Sequence, residues 1–460
     1  MTHSPDGVPL PQRNWAIATV ALGITMSVLD SAIANVALPT IARDLHTDAA
    51  FSIWVVNGYQ LAITISLLPL SSLGDIIGYR RIYIAGLALF TAASLACAMS
   101  QTLTALALAR VLQGFGAAGI MSVNTALIRF IYPQSQLGRG IGINTVVVAI
   151  SAAAGPTIAS AILSVASWPW LFAVNVPIGI FAVAIAARAL PKTPRGKHGF
   201  DIAGALLSAG TFGFLIGGID AGGHGEAGKL VAVELTLAII CGYFLVRREL
   251  SRPAPLFPVD LLGIPVFALS VGTSICSFAA QMLAFVALPF HLQQEFGYSA
   301  VQTGLLITPW PLAIAFAAPV AGRLADRHPA GLLGAIGLLI FACGLVALAL
   351  LPQHPQLEDV AWRMAVCGLG FGFFQSPNNR ALIGSAPRHR SGGASGMLGT
   401  ARLLGQTMGA ALVALLFGRI GAHATVYALY IAAGFALAAA AVSSLRLLQN
   451  APEALSPPLD

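Results

Sequence analysis

The sequence has very little charge for its length. Asp, Glu, Lys and Arg make up 9% of its 460 residues, whereas an average soluble domain carries about 25%. Apolar residues make up 57% of the chain, and the mean hydropathy is +0.82. This composition excludes an ordinary soluble protein and indicates a chain that crosses a membrane many times. In such a chain, the 48 Gly and 27 Pro serve close helix packing and local kinks.

The residue patterns of common enzymatic and nucleic-acid sites are also missing. The five cysteines lie in apolar runs without metal-ligand spacing (Cys97, Cys241, Cys276, Cys343 and Cys367). No glycine-rich phosphate loop with a lysine occurs, which excludes ATP as the energy source. The net charge of +7 comes from basic residues dispersed among loops, unlike a nucleic-acid interface. We therefore expect no enzyme activity, no metal, no cofactor and no nucleic-acid partner.

Apolar runs of about 20 residues, each long enough to cross a bilayer, alternate with polar or Gly/Pro breaks. They predict about fourteen helices, near residues 15–38, 51–72, 81–100, 103–131, 140–164, 168–190, 200–220, 229–247, 266–290, 301–322, 332–352, 361–385, 395–419 and 424–446. Polar residues from Asp220 to Glu226, together with Glu234, interrupt the two middle runs. These two runs could form one hairpin or part of one.

The loops on the two sides of the predicted bundle differ in charge. Most Lys and Arg residues, from Arg13 to Arg446, fall on one side, and the other side receives only Arg43, Lys229, Arg363 and Arg419. The positive-inside rule then predicts a multi-pass protein of the cell inner membrane with both termini in the cytoplasm. Residues 1–14 lack the features of a signal peptide, so we expect the first helix to remain a permanent span.

An internal repeat relates the two ends of the chain. Leu38-Pro39 recurs as Leu288-Pro289, and Ser122-Val123-Asn124 matches Ser376-Pro377-Asn378, at an offset of about 250 residues. The predicted fold class is an all-α polytopic membrane protein with two six-helix halves and an inserted two-helix hairpin. The predicted segments are a cytoplasmic tail (1–14), a six-helix bundle (15–190), the hairpin with its linkers (191–255), a second six-helix bundle (256–446) and a cytoplasmic tail (447–460).

Asp30 is an acid inside an apolar run. It lies about 22 Å along the helix from Trp15, within a bilayer core about 30 Å thick. Because burial disfavours a charged carboxylate, Asp30 is a candidate for proton exchange. The alternative is a purely structural ion pair with a cation on a neighbouring helix. The equivalent position in the second half falls near Gln281, so we place any proton chemistry in the first half.

Arg110 lies at a depth similar to that of Asp30, which makes an Asp30–Arg110 interaction geometrically possible. Gln113 is three residues farther along the same helical face, and we expect Gln113 and Asn35 to support the pair. Asn124 lies on the same face as Arg110. It would line the same cavity or, equally, form an interhelical hydrogen bond.

Two features suggest moving parts. The loop from Leu73 to Arg81 contains Asp75, Gly78 and Arg81, and it recurs around Asp326. This symmetry predicts a gate or latch, with a positive-inside anchor as the alternative. Elsewhere, Pro156 kinks its helix and Gly155 allows a neighbour to approach closely, which suits a helix that rocks.

A set of polar and aromatic residues near mid-helix predicts a large, mostly apolar substrate cavity. Its members are Asn57, Tyr59, Phe115, Asn124, Phe278, Gln281, Trp310, Phe374, Gln375 and Asn378. Trp310 stands between Pro309 and Pro311, which predicts a locally broken helix of the kind found at transporter sites. For each member alone, ordinary helix packing is the alternative. Arg402 and Gln406 lie nearer the cytoplasmic end, where long side chains extend to the interface.

Together these motifs resemble the fourteen-helix drug:proton antiporters of the major facilitator superfamily. The resemblance rests on Leu29-Asp30, Asn35-Val36-Ala37-Leu38-Pro39, the loop from Leu73 to Arg81, Arg110-Val111-Leu112-Gln113-Gly114, Gly155-Pro156, Trp168, Trp170, Phe172, Asn175-Val176-Pro177-Ile178-Gly179 and Phe200-Asp201. It implies that Asp30 is the membrane acid and Arg110 the basic residue of the fourth helix. It also implies that Asp75 and Arg81 belong to the gating loop and Gly155-Pro156 to the antiporter motif.

The sequence therefore predicts proton-coupled secondary active efflux of lipophilic or cationic drugs by alternating access, which confers drug resistance. Expected partners are amphipathic small molecules, protons and the lipid bilayer, with the proton gradient as the energy source and the protein as a monomer. The alternatives are export of an endogenous metabolite or lipid, and a non-transporting membrane sensor. Glu234 would offer a second acid if it were buried in the membrane.

Overall fold

The computed structural model describes the chain in eight stretches, residues 7–133, 136–193, 195–196, 199–223, 228–252, 257–387, 390–421 and 424–449. Across these stretches the chain is helical and contains no β-strand. Lys197, Arg388, Glu226 and most of both predicted tails lie outside the described residues.

The first half of the described chain contains six long helical segments. Two of them begin with a single helical turn that one residue separates from the main helix. The helices are α1 (Gln12–Asp44), α2 (Ala49–Ser52), α3 (Trp54–Ile77), α4 (Tyr79–Met99), α5 (Leu103–Ile131), α6 (Leu137–Val165), α7 (Trp170–Ala173) and α8 (Asn175–Ala189).

Two helices, α9 (Ile202–Gly223) and α10 (Gly228–Leu250), follow the first half. A 3₁₀ turn (Val259–Gly263) leads into the second half, and α11 ends in a π turn (His291–Glu295). The remaining helices are α11 (Pro265–Phe290), α12 (Ala300–Ile307), α13 (Pro309–Leu324), α14 (Ala330–Ala349), α15 (Leu357–Ser385), α16 (Ser391–Ile420) and α17 (Ala424–Gln449). A single residue with helical backbone angles, Thr308 (φ −53°, ψ −37°), separates α12 from α13, so the helix predicted to be broken next to Trp310 is interrupted by one residue within a continuous segment.

Thirteen helical segments of the described chain are long and apolar enough to cross a membrane. In this set α2 with α3, α7 with α8, and α12 with α13 each form one segment. The fourteenth long helix, α15, has 29 residues but carries more polar and charged side chains, and it packs between α13 and α14. The prediction of about fourteen membrane helices in an all-α fold is confirmed.

The internal repeat is visible in how the helices cross. A Cβ atom on Gly114 of α5 would lie 2.5 Å from the carbonyl oxygen of Tyr59 on α3. The same arrangement recurs in the second half, where a Cβ on Gly368 of α15 would collide with the carbonyl oxygen of Trp310 on α13. Each half is therefore built around a helix crossing that only glycine permits.

Alanine at either crossing glycine is expected to destabilise the protein. In Gly114→Ala or Gly368→Ala, the added methyl group meets backbone, which cannot rotate away, so we expect a loss of about 1–3 kcal/mol of unfolding free energy. Thermal unfolding in detergent measures it. Gly213→Ala on α9 is the matched control, because a Cβ there meets nothing within 4 Å. Equal melting temperatures for all three variants would contradict this interpretation.

The two ends of the bundle differ, and we name them by charge. The basic face is the end that carries the turns at Gly78, Pro133, Leu190, Ser251 and Asp326, and the opposite end is the closed face. At the closed face, apolar side chains of both halves form one continuous core, which includes Ile33–Ile41 of α1 and Phe278–Leu292 of α11 and its π turn. Gln293 Nε2 donates to the carbonyl oxygen of Val36 across this junction at 3.1 Å.

The middle pair forms a hairpin of two full-length helices. Asp201 begins the pair and is buried against Arg248, with its Oδ1 2.8 Å from Arg248 Nη2, and against Arg252 at 3.4 Å. The hydrogen bonds from Arg248 hold the pKa of Asp201 below its usual range, even though burial opposes this. Helix α9 contacts α3 through a hydrogen bond from Trp54 Nε1 to Asp220 Oδ2 (3.0 Å). It also accepts a bond from Arg419 of α16 at the Gly222 carbonyl (2.7 Å).

Candidate functional site

A buried polar cluster surrounds Asp30. Arg110 of α5 donates a hydrogen bond from Nη1 to Asp30 Oδ2 and forms an ion pair with it. The exposed fractions of the two side chains are 0% for Arg110 and 1% for Asp30. The structure thus brings together the two residues that the sequence places at equal depth.

The other carboxylate oxygen of Asp30 accepts two further hydrogen bonds. Gln113 Nε2 and Asn175 Nδ2 each lie 2.9 Å from Oδ1. Gln113 also bonds to Ser94 Oγ of α4 at 2.9 Å and accepts from Arg110 Nη1 at 2.6 Å. The carboxylate therefore ties α1 to α5 and α8 directly, and to α4 through Gln113.

Arg110 is held by aromatic rings as well as by acceptors. Its Nε donates to the carbonyl oxygen of Val55 at 2.8 Å. Its guanidinium carbon lies 4.1 Å from the ring centre of Tyr59 and 5.5 Å from that of Phe172, which is cation–π geometry. Tyr59, predicted to contact substrate, is buried here and donates its hydroxyl to the Ser27 carbonyl at 2.9 Å.

Several buried polar atoms on these helices have no hydrogen-bond partner within the described chain. They are both side-chain amide atoms of Asn57, Oδ1 of Asn35 and Nη2 of Arg110. Buried polar groups without partners are costly, and sites of this kind commonly take up water or a ligand. Asn57 and Asn35 thus keep unused bonding capacity on α3 and α1.

Sequence reasoning missed Asn175 and Ser94 as members of this cluster. The sequence places Asn175 within a motif and indicates no role for it, because nothing in its apolar surroundings shows which helix it faces. Asn175 begins α8, directly after Val174. A polar amide at the start of an otherwise apolar helix was the available signal.

The predicted gating residues lie on the basic face. Asp75 accepts a hydrogen bond from the Tyr79 hydroxyl, and its backbone carbonyl accepts from the Gly196 N–H at 2.7 Å. Gly78 has a φ of 103°, a backbone conformation that favours glycine. The Arg81 side chain is exposed. In the second half, exposed Asp326 forms an ion pair with Arg380.

Gly155 and Pro156 lie where α6 packs against two other helices. A Cβ on Gly155 would collide with the Cβ of Ala32 on α1. Two residues after Gly155, Thr157 Oγ1 lies 2.9 Å from Thr308 Oγ1 of the second half. A Cβ on Gly304 of α12 would lie 2.5 Å from the carbonyl oxygen of Pro156. The predicted moving helix is thus one that joins the halves at the closed face.

The aromatic members of the predicted substrate set mostly pack against each other in the second half. Trp310 and Phe374 are fully buried, and Phe278 is 4% exposed. Phe371 links them, with ring centres 5.2 Å from Phe278 and 5.6 Å from Phe374. Trp310 joins the cluster through Phe341, and its Nε1 has no partner within the described chain.

The remaining polar members of that set have different surroundings. Asn378 is buried and receives a hydrogen bond from Arg446 Nη1 at 2.9 Å, while its own Nδ2 donates to Ser274 Oγ at 2.8 Å. Asn124 bonds to Asn144 Oδ1 at 2.8 Å. Of the whole predicted substrate set, Phe115 and Gln375 are partly exposed, and Gln281 is 8% exposed.

Glu234 is half-buried on α10. Its carboxylate lies against α9, where a Cβ on Gly217 would be 3.0 Å from Oε2, and Oε2 has no hydrogen-bond partner within the described chain. It is therefore remote from the Asp30 cluster, on the hairpin that flanks both halves.

The chain matches the Major Facilitator Superfamily model over residues 20–405 and 270–459. It is 60% identical over 448 residues to Uncharacterized transporter YebQ of Escherichia coli (strain K12), covering 96% of this chain and 98% of that protein. It is 32% identical over 417 residues to Riboflavin transporter RibZ of Clostridioides difficile (strain 630), covering 89% of each. It is 30% identical over 430 residues to the Tetracenomycin C resistance and export protein of Streptomyces glaucescens, covering 92% of this chain and 79% of that protein.

Solved structures agree with the fold. A bacterial homologue of the human lysosomal transporter Spinster, in an inward-facing and occupied conformation, superposes with a TM-score of 0.70 at 16% identity. The alignment covers 98% of this chain and 100% of that one. A multi-pass helical bundle, the family match and transporter relatives over nearly the full length agree. This chain belongs to the major facilitator superfamily and is a membrane transporter, not an enzyme.

Proposed function

We propose that this transporter exports amphipathic organic compounds in exchange for protons, with Asp30 as the proton carrier. The observation that carries the proposal is the fully buried Asp30 carboxylate, bonded to one cation and two amides on neighbouring helices. Ionisable groups inside a membrane protein mark ion pathways more often than they serve packing. The relative named as a tetracenomycin C resistance and export protein supports export as the direction.

The geometry supports a coupling mechanism. The charged carboxylate holds α1 against α5 and α8, because Arg110, Gln113 and Asn175 all donate to it. Protonation of Asp30 removes the charge that these donors stabilise, so it loosens α1 from α5 and leaves Arg110 to its aromatic and carbonyl partners. Substrate binding and proton release would then favour different arrangements of the halves.

We place the basic face in the cytoplasm, since most Lys and Arg residues lie there, and the protein in the bacterial inner membrane. A pH gradient supplies about 1.4 kcal/mol per unit for each proton. For a neutral substrate the membrane potential adds about 2.3 kcal/mol per 100 mV. The gating loop around Asp75 and its repeat at Asp326 would latch the cytoplasmic ends.

A second candidate function is transport of an endogenous metabolite. It is favoured by the relative named as a riboflavin transporter, which is 32% identical. The two candidates share the proton-coupled mechanism and differ only in substrate, so one assay tests both.

The test is proton movement in proteoliposomes that contain a pH-sensitive dye. Ethidium, riboflavin and 1-naphthalenesulfonate are added in turn, as a lipophilic cation, a neutral metabolite and an amphipathic anion. We expect at least one compound to trigger proton release that is absent from protein-free liposomes. Folded, correctly inserted protein that releases protons with none of the three would overturn proton-coupled transport of these classes and favour a sensor.

A further inference from the structure

Helix α16 is covered on three sides. Thr407 faces α3, with its Oγ1 3.1 Å from Thr64 Oγ1. Gly405 and Gly409 lie against the backbone of α11, where a Cβ on Gly409 would be 2.5 Å from a carbonyl oxygen. Met397 belongs to an apolar cluster that includes α9.

The fourth side of α16 faces the space between α3 and α11, where the two halves meet. At 3.6 residues per turn, Arg402 and Gln406 share this side, and both are partly exposed. The guanidinium carbon of Arg402 lies 6.0 Å from the ring centre of Phe278 on α11. Arg402 lies nine residues after Gly393, where the membrane span begins, which is a depth of about 14 Å along the helix.

Arg402 differs from the other deep arginines because no described residue bonds to it. Arg110 has the Asp30 carboxylate, and Arg446 donates to Ser270, Asn378 and Ser443. Within the described chain Arg402 forms neither an ion pair nor a hydrogen bond, and Phe278 is its one aromatic contact. Asp30, the carboxylate that we propose as the proton carrier, is fully buried and already paired with Arg110.

A guanidinium at this depth is costly unless it faces a water-filled cavity or meets an anion. Its planar fork of donors matches carboxylate, sulfonate and phosphate groups. Gln406 on the same side and Gln281 on α11 form no hydrogen bond within the described chain and are further donors. Among the described residues, α16 therefore presents a cation and an amide on this side, and it carries no carboxylate to receive a cationic ligand.

We infer that Arg402 binds the acidic group of the transported compound, so that the substrates are amphipathic organic anions. This inference rests on the proposed transport function and narrows its substrate class. It predicts anionic substrates in place of the lipophilic cations expected from the sequence. Export of a monoanion against entry of one proton moves two charges, so transport should respond to membrane potential more steeply than with a neutral substrate.

Three probes with one aromatic body test the charge preference: 1-naphthalenesulfonate, 1-naphthol and 1-naphthylmethylammonium. Equilibrium binding to the purified full-length protein in detergent is measured for each. We expect the parent to bind the sulfonate at least about tenfold more tightly than the amine, a factor that corresponds to 1.4 kcal/mol. Arg402→Gln should lose this preference and Arg402→Lys should keep most of it. Arg43→Gln, which changes an arginine whose side chain is 77% exposed at the end of α1, should behave as the parent.

The outcomes separate the inference from the proposed function. A parent that prefers the amine, or fails to bind the sulfonate at millimolar concentration, overturns the anion site. A preference that survives in Arg402→Gln also overturns it. Proton release in proteoliposomes is followed in parallel. Release with the amine and not the sulfonate refutes the inference and leaves proton coupling standing, whereas sulfonate binding without proton release from any probe retains the anion site and refutes coupling.

Discussion

Replacing Asp30 with asparagine is expected to reduce substrate-triggered proton release to the level of protein-free liposomes. Asparagine has nearly the same shape but cannot give up a proton between the two conformations. It also offers one acceptor oxygen where the carboxylate offers two, so Arg110 or the pair Gln113 and Asn175 must lose a partner. Because a buried cation is left uncompensated, we expect the free energy of unfolding to fall by about 3–5 kcal/mol.

The control for this variant lies on the same helix. Asp44→Asn removes a carboxylate that is 42% exposed and, among the described residues, pairs with Arg43 alone, so proton release should match that of the parent. Asp30→Glu restores an acid and should recover part of the activity. Thermal unfolding in detergent, run beside the proton assay, separates lost coupling from lost folding. Proton release that persists in folded Asp30→Asn would move the proton site elsewhere, with half-buried Glu234 as the next candidate.

A valine in place of Gly304 is expected to abolish transport by preventing closure of the halves at the closed face. A Cβ on Gly304 would lie 2.5 Å from the Pro156 carbonyl and collide with the Ser160 hydroxyl. The carbonyl is backbone and cannot rotate away, so α6 and α12 must separate. The conformational equilibrium should then shift toward the arrangement open at this face.

Cross-linking measures that shift directly. Thr157 and Thr308 have hydroxyl oxygens 2.9 Å apart across the α6–α12 contact, so cysteines at these two positions should form a disulfide readily in a cysteine-free parent. Adding Gly304→Val should slow cross-linking at least about tenfold and leave thermal stability near that of Gly213→Val, the matched control. Unchanged cross-linking with lost transport would show that Gly304 acts in some other way.

The sequence predicts the helices because they follow from the apolar pattern, and it indicates the repeat through motifs that recur about 250 residues apart. The contact between Asp30 and Arg110 follows too, since two charges at the same depth have few other partners in an apolar bundle. The contact of Asn175 with Asp30 does not follow from the sequence, because the apolar pattern does not show which neighbouring helix this uncharged amide faces.

For the predicted substrate-binding residues, the sequence pattern does not decide between core packing and contact with a ligand. Aromatic residues at mid-helix serve a packed core and a ligand cavity equally well, and Trp310, Phe374 and Phe278 lie in one aromatic cluster within the second half. For Arg402 the sequence predicts a side chain that extends to the membrane interface. Only the packing of α16 against α3, α9 and α11 reveals that it faces the space between the halves.

The α9–α10 hairpin has a consequence for how the molecule can move. Helix α9 is bonded to α3 through Trp54 and Asp220, and to α16 through Gly222 and Arg419, so one helix is attached to both halves. Both hydrogen bonds lie at the closed-face end of α9, so an opening of the closed face that preserves them must pivot close to this end. The helix ends of the two halves that lie farthest from the hairpin would then separate most.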